Sequence, residues 1–272
     1  MIQVGRVTTI YWPGDETTAT TLADLADRTT TWPGIDDPSD YPVRLFLAPS
    51  EGKFDSLTRG QLPEWGGGAA FPGSNTIILK LTGDVRRVLR HELAHLALRN
   101  LVRRAPLWFD EGYAALAAGE WDRLQALRVN WALLMGATPT LRQVAADLRG
   151  KGSGRAETAY ALATTAVLLL QRMGGERGLG PLVANLSETT DFDRALRTTY
   201  QMTLDQFEVH WRRDLKRRYG WALFFGSLTV VWTLLALVLL SLWGVRRRRD
   251  RARRARLDEG WAIPPEDWHA SA

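Results

Sequence analysis

The sequence predicts an α+β domain followed by one membrane-spanning helix. Three segments with strand patterning lie within the first 82 positions, and segments with helical periodicity dominate the remainder of this 272-residue chain. The third observation is an apolar segment without any ionisable side chain at 220–245. We therefore expect a folded domain over 1–219, a transmembrane helix over 220–245 and a tail over 246–272.

The predicted strands are short and are bounded by turn residues. "GRVTTIYW" (5–12) alternates apolar and polar positions, "YPVRLFLA" (41–48) is a second strand, and "TIILKLT" (76–82) is a third between glycine-containing turns. The helical spacing of leucine and alanine in 18–32 predicts a helix between the first two strands. Glycine and proline are frequent in 50–75, which predicts a loop.

The helix after the third strand carries two histidines one turn apart. Asp84 can cap a helix running from about Val85 to Leu101, and its segment "RHELAHLAL" places His91 and His95 on one face with Glu92 between them. Two neutral imidazoles can bind one zinc ion, and a neighbouring carboxylate can take a proton from water. This spacing is typical of a metallopeptidase site.

A purely structural role is the competing interpretation of these histidines. The same helix has an apolar stripe that includes Leu89, Leu93 and Leu96, and a histidine on such a helix is often a packed boundary residue. The i,i+4 pair with a glutamate inside it favours the metal site.

A second motif supplies a candidate for the third metal ligand. "PLWFDEGYA" places Glu111 sixteen positions after His95 on what we expect to be the next helix. "HELAH" followed by "PLWFDEGYA" resembles the gluzincin metallopeptidases, most closely the peptidase MA-like family, and the resemblance covers residues 5–219. It implies a zincin-like fold with a small N-terminal sheet and a helical C-terminal part. It also implies Zn²⁺ bound by His91, His95 and Glu111, Glu92 as general base, and a peptide or protein substrate.

Other carboxylates compete with Glu111 for the third position. Asp110 points about 100° away from Glu111 on a helix, so only one of the two can face the histidines. Glu120 lies more than two turns further along the chain. Two roles stay open for Asp110, which either orients a ligand imidazole or caps its helix.

Two weaker features point to the same site. Tyr160 lies on a later predicted helix, where its phenol could stabilise the oxyanion of a tetrahedral intermediate, although core packing is the alternative. The strand before the histidine helix could be the edge along which an extended peptide pairs, with a plain loop as the alternative.

The C-terminal sequence predicts the topology. As a helix, 220–245 would span ~39 Å, more than the ~30 Å hydrocarbon core of a bilayer. Eight arginines follow within 246–256, which favours a cytoplasmic tail near anionic lipid and an extracytoplasmic 1–219, although five basic residues in 212–218 oppose this orientation. We do not expect nucleic-acid binding. No signal peptide is visible at the start, so an upstream signal, translocation by the helix itself, or a cytoplasmic domain are all open.

These patterns together predict a membrane-anchored zinc metallopeptidase. The alternative is a non-catalytic zincin-like scaffold or sensor module that signals through the membrane helix to a cytoplasmic partner. The presence of Glu92 favours the enzyme. The sequence does not indicate an oligomeric state or a cleavage specificity.

Overall fold

The computed structural model divides the chain into two compact units, Met1–Trp221 and Ala222–Ala272. It describes residues 1–36, 40–60, 66–136, 138–150, 153–219 and 221–259. The first unit is a mixed α+β fold that is mostly helical, as the sequence predicted.

A five-stranded sheet lies in the first unit. Its strands are β1 (Ile2–Val4), β2 (Val7–Ile10), β3 (Val43–Ala48), β4 (Gly68–Phe71) and β5 (Thr76–Lys80), in the order β1-β2-β3-β5-β4. The three central strands are parallel, while β1 and β4 pair antiparallel at the two edges. Val43, Leu45 and Leu47 alternate towards the buried side of β3, which gives the sheet an apolar face for helices to cover.

The three predicted strands are present, and two more occur that the sequence did not indicate. The segment 50–75, predicted to be a loop, instead contains the helix α2 (Glu51–Thr58) and the edge strand β4. Ser50 caps α2 by accepting from the Lys53 amide at 3.4 Å, and Phe54 anchors the helix in a small apolar cluster. The glycine and alanine of β4 have weak strand propensity, so its pairing with β5 decides its conformation.

The remaining helices of the first unit cover the sheet and extend the fold. They are α1 (Glu16–Arg28), α3 (Val85–Leu101), α4 (Leu107–Ala117), α5 (Arg123–Leu134), α6 (Leu141–Leu148), α7 (Ser153–Met173), α8 (Gly180–Glu188), α9 (Phe192–Tyr200) and α10 (Leu204–Tyr219). Short 3₁₀ turns occur at Pro72–Ser74 and Gly175–Arg177. Helix α7 is central, since α4, α5, α6 and α10 all pack against it.

Helix α4 is fixed tightly on α7 by a glycine and an aromatic cluster. A Cβ at Gly112 would lie 2.5 Å from the carbonyl oxygen of Ala163, so only glycine permits this approach. Trp108 packs against Phe192 and Phe207 with ring centroids 5.4 and 6.0 Å apart. The tryptophan of the second motif therefore packs in the core.

The second unit contains the helix α11 (Trp221–Glu259). Within the described residues, none of the helices has the length and hydrophobicity that crossing a bilayer requires, so the transmembrane helix predicted over 220–245 lacks support. Residue 220 and the side chains of 221–230 fall outside the described part, as do tail residues 260–272.

Candidate active site

Helix α3 carries the histidines and has the bounds that the sequence predicted. The Asp84 carboxylate accepts from the Arg87 amide at 3.2 Å and caps its first turn. Its apolar side chains are buried in the core, whereas His91 and His95 keep a small exposed fraction and line a cleft. The local sequence thus sets which face carries the imidazoles.

Three side chains converge in this cleft. The Nε2 atoms of His91 and His95 each lie 3.5 Å from Oε2 of Glu111 on α4. One ligand atom from each of the three residues lies within 4.8 Å of the others, so one cation can contact all three. Two imidazole nitrogens and one carboxylate oxygen are a donor set that suits zinc and leaves a coordination position open for water or substrate.

Each imidazole is held from behind by a carboxylate. The Nδ1 of His91 lies 2.9 Å from Oε1 of Glu120, and the Nδ1 of His95 lies 3.2 Å from Oδ1 of Asp110. Because both Nδ1 atoms are occupied, the Nε2 atoms remain available on the side of Glu111.

Asp110 is in turn held by a cation. Arg99 donates to Oδ2 of Asp110 from Nη2 at 2.6 Å and from Nε at 3.0 Å, forming a two-point contact. Of the two roles left open for Asp110, the contact with His95 is the one observed, since no side chain caps the start of α4. Glu120 likewise contacts His91 and is not one of the three candidate metal ligands, His91, His95 and Glu111.

The charges of the group are strongly coupled. Burial alone lowers the pKa of His91, but hydrogen bonds to Glu111 and Glu120 outweigh it and raise that pKa to about 10. The pKa of His95 is also raised well above its ordinary value, because Glu111 and Asp110 overcome the effect of burial. Burial opposes ionisation of Glu111, yet the two histidines hold its pKa well below the ordinary range.

Glu92 lies beside the group in the same cleft. It is 7% exposed, and burial raises the pKa of its carboxyl group. A Cβ at Gly68 would lie 2.8 Å from Cγ of Glu92 and 2.8 Å from Cγ1 of Val88, so a glycine here lets β4 pack directly on α3. A buried carboxylate with a raised pKa is suited to exchanging a proton with a reacting group.

Tyr160 of α7 closes the cleft opposite β4. Its ring centroid lies 6.3 Å from that of His91, and it lines the same cavity as Glu92 and Glu111. Burial, the charges of Glu111 and Glu92, and a hydrogen bond to Glu111 raise the pKa of its hydroxyl, which therefore stays protonated. The sequence left oxyanion stabilisation and core packing as alternative roles for Tyr160, and in the structure its side chain lines the cleft of the site.

The cleft has a volume of about 760 Å³, and β4 forms one of its walls through Gly68, Ala69 and Ala70. The sequence left two interpretations of the strand before the histidine helix, a peptide-pairing edge or a plain loop; for β5 the edge interpretation is wrong. Strand β5 pairs with β3 on one side and β4 on the other, which leaves β4 as the edge of the sheet beside the site.

Comparison with known proteins identifies the family of the chain. A profile of the Peptidase MA superfamily matches residues 40–217. The chain belongs to the peptidase MA superfamily. A comparison with curated proteins gives no match. Among solved structures, an M1 zinc metallopeptidase from Deinococcus radiodurans is similar at 20% identity and a TM-score of 0.44. That match covers 75% of this chain and 47% of the other, so this chain spans about half the length of that enzyme.

The roles of two residues at this site, Arg99 and Glu120, were not predicted from the sequence. Arg99 lies four positions after His95 on the same face of α3, a signal that could have been used. Glu120 follows the end of α4 after Gly119, whose φ of +71° turns the chain back. Its contact with His91 depends on this turn, and spacing alone does not reveal it.

Proposed function

We propose that this protein is a zinc-dependent peptidase that hydrolyses peptide bonds in the cleft between β4 and α7. The observation that carries the proposal is the convergence of His91, His95 and Glu111, with the buried carboxylate of Glu92 in the same cavity. Membership of the peptidase MA superfamily supports the reaction class.

The residues present fit a zinc ion. His91, His95 and Glu111 would hold it, and zinc supplies the Lewis acidity that activates a carbonyl group and a water molecule. The carboxylates of Glu120 and Asp110 keep the two imidazoles in position.

The other roles belong to side chains of this chain. Glu92 accepts a proton from the attacking water and delivers it to the departing amine, for which its raised pKa is suited. The protonated hydroxyl of Tyr160 donates a hydrogen bond to the oxygen that gains negative charge. The free edge of β4 offers main-chain groups to an extended peptide.

The direct test uses the 272-residue chain. Zinc is measured by elemental analysis, and hydrolysis of casein and of a peptide mixture is followed before chelation, after chelation and after reloading. We expect about one zinc per chain and hydrolysis that is lost and restored with it. A folded protein that takes up no zinc would refute the proposal. Zinc binding without hydrolysis of any substrate would instead favour the scaffold or sensor.

We also propose that 220–245 attaches the protein to a membrane, with 246–272 in the cytoplasm and residues 1–219, the peptidase unit, outside it. Because no helix among the described residues meets the requirements for crossing a bilayer, the proposal rests on the uncharged sequence 220–245, the large apolar side chains exposed between Val231 and Val245, and the arginine run that follows them. The chain has no cysteine, so single cysteines introduced at Ser56 and Ser271 can report the sidedness.

In intact cells, an impermeant thiol reagent should label Ser56→Cys and spare Ser271→Cys. The reverse labelling would place the peptidase unit in the cytoplasm. Extraction of the protein by alkaline carbonate would show that it is not embedded in the membrane at all.

A further inference from the structure

The candidate active site lies between two adjoining cavities. One has a volume of about 760 Å³ and the other about 240 Å³. Five residues line both cavities, namely Gly66, Gly68, His91, Glu92 and Tyr160. A bound peptide that passes the reaction centre can therefore extend into either cavity.

The two cavities differ in the charged side chains that line them away from the reaction centre. The larger one extends to Arg103 and Arg149, which together we name the arginine end. The smaller one extends to Glu120 and Glu157, the glutamate end, where Glu120 is paired with His91 and Glu157 forms a 2.7 Å salt bridge with Arg128. A substrate in the cleft thus meets arginines at one end and glutamates that already have partners at the other.

The cations of the arginine end are available for a ligand. Over the described residues, neither Arg103 nor Arg149 forms an ion pair or a side-chain hydrogen bond. Arg99 lines the same cavity, but its guanidinium is bound to Asp110. Arg104 and Arg149 line a further cavity next to this one, which extends the positive surface.

This arrangement is produced by folding. Arg103 follows the end of α3 by two residues, and Arg149 follows the end of α6. Leu107 and Leu148 line the same cavity and provide an apolar surface for the stem of a substrate side chain. Guanidinium groups match the planar geometry of a carboxylate and can donate two hydrogen bonds to it.

We propose that the arginine end binds a substrate carboxylate on one side of the cleaved bond, so that the enzyme prefers acidic peptides. The inference rests on the proposed peptidase function. The carboxylate belongs either to an internal acidic side chain or to the C-terminus of the peptide. The glutamate end is lined by no arginine or lysine among the described residues, so the same group gains no ion pair in the opposite placement, which favours one orientation of the peptide.

The test uses peptides that differ at one position on either side of the cleaved bond. Each carries Glu, Gln or Lys there, with a free or an amidated C-terminus. At low salt we expect kcat/KM for the Glu peptide to exceed that for the Gln peptide by about five- to tenfold, because exposed charge pairs contribute modestly. The Lys peptide should be the poorest. A preference that follows the free C-terminus instead assigns the carboxylate to the peptide end.

The arginine variants identify the source of the preference. In Arg103→Gln/Arg149→Gln, the Glu and Gln peptides should become equal, mainly through KM because the contact is made before the reaction. Arg103→Glu/Arg149→Glu should prefer Lys. The matched control is Arg86→Gln, since Arg86 is an exposed arginine of α3 that lines a different cavity. The control should keep the wild-type preference.

A binding measurement separates this inference from the peptidase function. Calorimetry on Glu92→Gln should show tighter binding of the Glu peptide than of the Gln peptide, with the difference lost when both arginines are replaced. This result without any hydrolysis by the wild type would refute the peptidase function and leave the arginine end supported. Equal cleavage and equal binding of Glu and Gln peptides would overturn the inference, and so would a preference that persists in the double variant.

Discussion

The two histidines of the candidate metal centre are held by unequal supports. His95 contacts Asp110, whose side chain is 7% exposed and is bound at two points by Arg99. His91 contacts Glu120, whose side chain is 22% exposed and has, among the described residues, no second partner. One local motif therefore yields two imidazoles with unequal support, because their partners come from the first turn of α4 and from beyond its end.

The largest expected effect is loss of the metal itself, whichever histidine is replaced. Replacing either histidine, in His91→Ala or His95→Ala, should reduce the zinc content from about one per chain to near zero, since two remaining ligands do not form a catalytic zinc site. Elemental analysis of the dialysed protein measures this. His210→Ala is the matched control, because His210 is exposed on α10, and it should keep the zinc. Full zinc in His95→Ala would show that the metal centre lies elsewhere.

A second large effect is expected from replacing Glu92, which leaves the contacts of Asp110 and Glu120 with the histidines in place. Glu92→Gln keeps the size of the side chain but cannot accept a proton, so hydrolysis should fall by about 10²- to 10⁴-fold while zinc content stays unchanged. The paired measurement is kcat with zinc stoichiometry. Wild-type turnover by this variant would assign the general base to another residue.

Replacing Asp110 or Glu120 tests whether the two histidines are supported unequally. Asp110→Asn should weaken zinc binding by about 10- to 100-fold, because it disturbs His95 and leaves Arg99 without its anion. Glu120→Gln should cost about tenfold or less, because the amide oxygen can still accept from His91 and the position is more exposed. Competition with a chromophoric chelator measures both affinities. Equal losses, with native circular dichroism, would show that the two supports are equivalent.

The smallest expected effect concerns the protonation of the His91 and His95 imidazoles. In the metal-free protein the pKa of His91 is raised to about 10 and that of His95 is also raised, so both imidazoles are charged at pH 7. Their pairing with carboxylates stabilises the metal-free fold fully below pH ~6.5, the ordinary pKa of histidine, and this contribution is lost as the pH rises towards 10.

Zinc binds neutral imidazoles, so its uptake at pH 7 should release about two protons, and its affinity should increase as the pH rises from 7. Calorimetry in buffers with different ionisation enthalpies counts these protons. Release of none would mean that the imidazoles are already neutral in the metal-free protein.

Helix α3 shows how far local sequence determined the site. The cap at Asp84 and the i,i+4 spacing of His91 and His95 are properties of neighbouring residues, and the structure reproduces the predicted bounds of the helix. The three strands with clear β patterning were found for the same reason. Helix α2 was missed because its glycine and its turn-forming neighbours conceal the Ser50 cap.

The edge of the sheet could not be predicted in this way. Strand β4 consists of small residues with weak propensity, and it forms because β5 pairs with it and Gly68 permits contact with Glu92. The arginine end and the glutamate end of the cleft also depend on contacts between distant segments. Arg103 and Arg149 follow the ends of α3 and α6, and Glu157 lies on α7.

The sequence by itself determined the family, the mixed α+β class and the residues of the two motifs, because helix periodicity and motif spacing are encoded by residues close in the chain. Only the tertiary structure decided which strand is the edge, that Asp110 and Glu120 hold the imidazoles, and that arginines line one end of the cleft and glutamates the other. These features depend on contacts between distant segments, and such contacts are specified by the packing of the whole core and not by any local pattern.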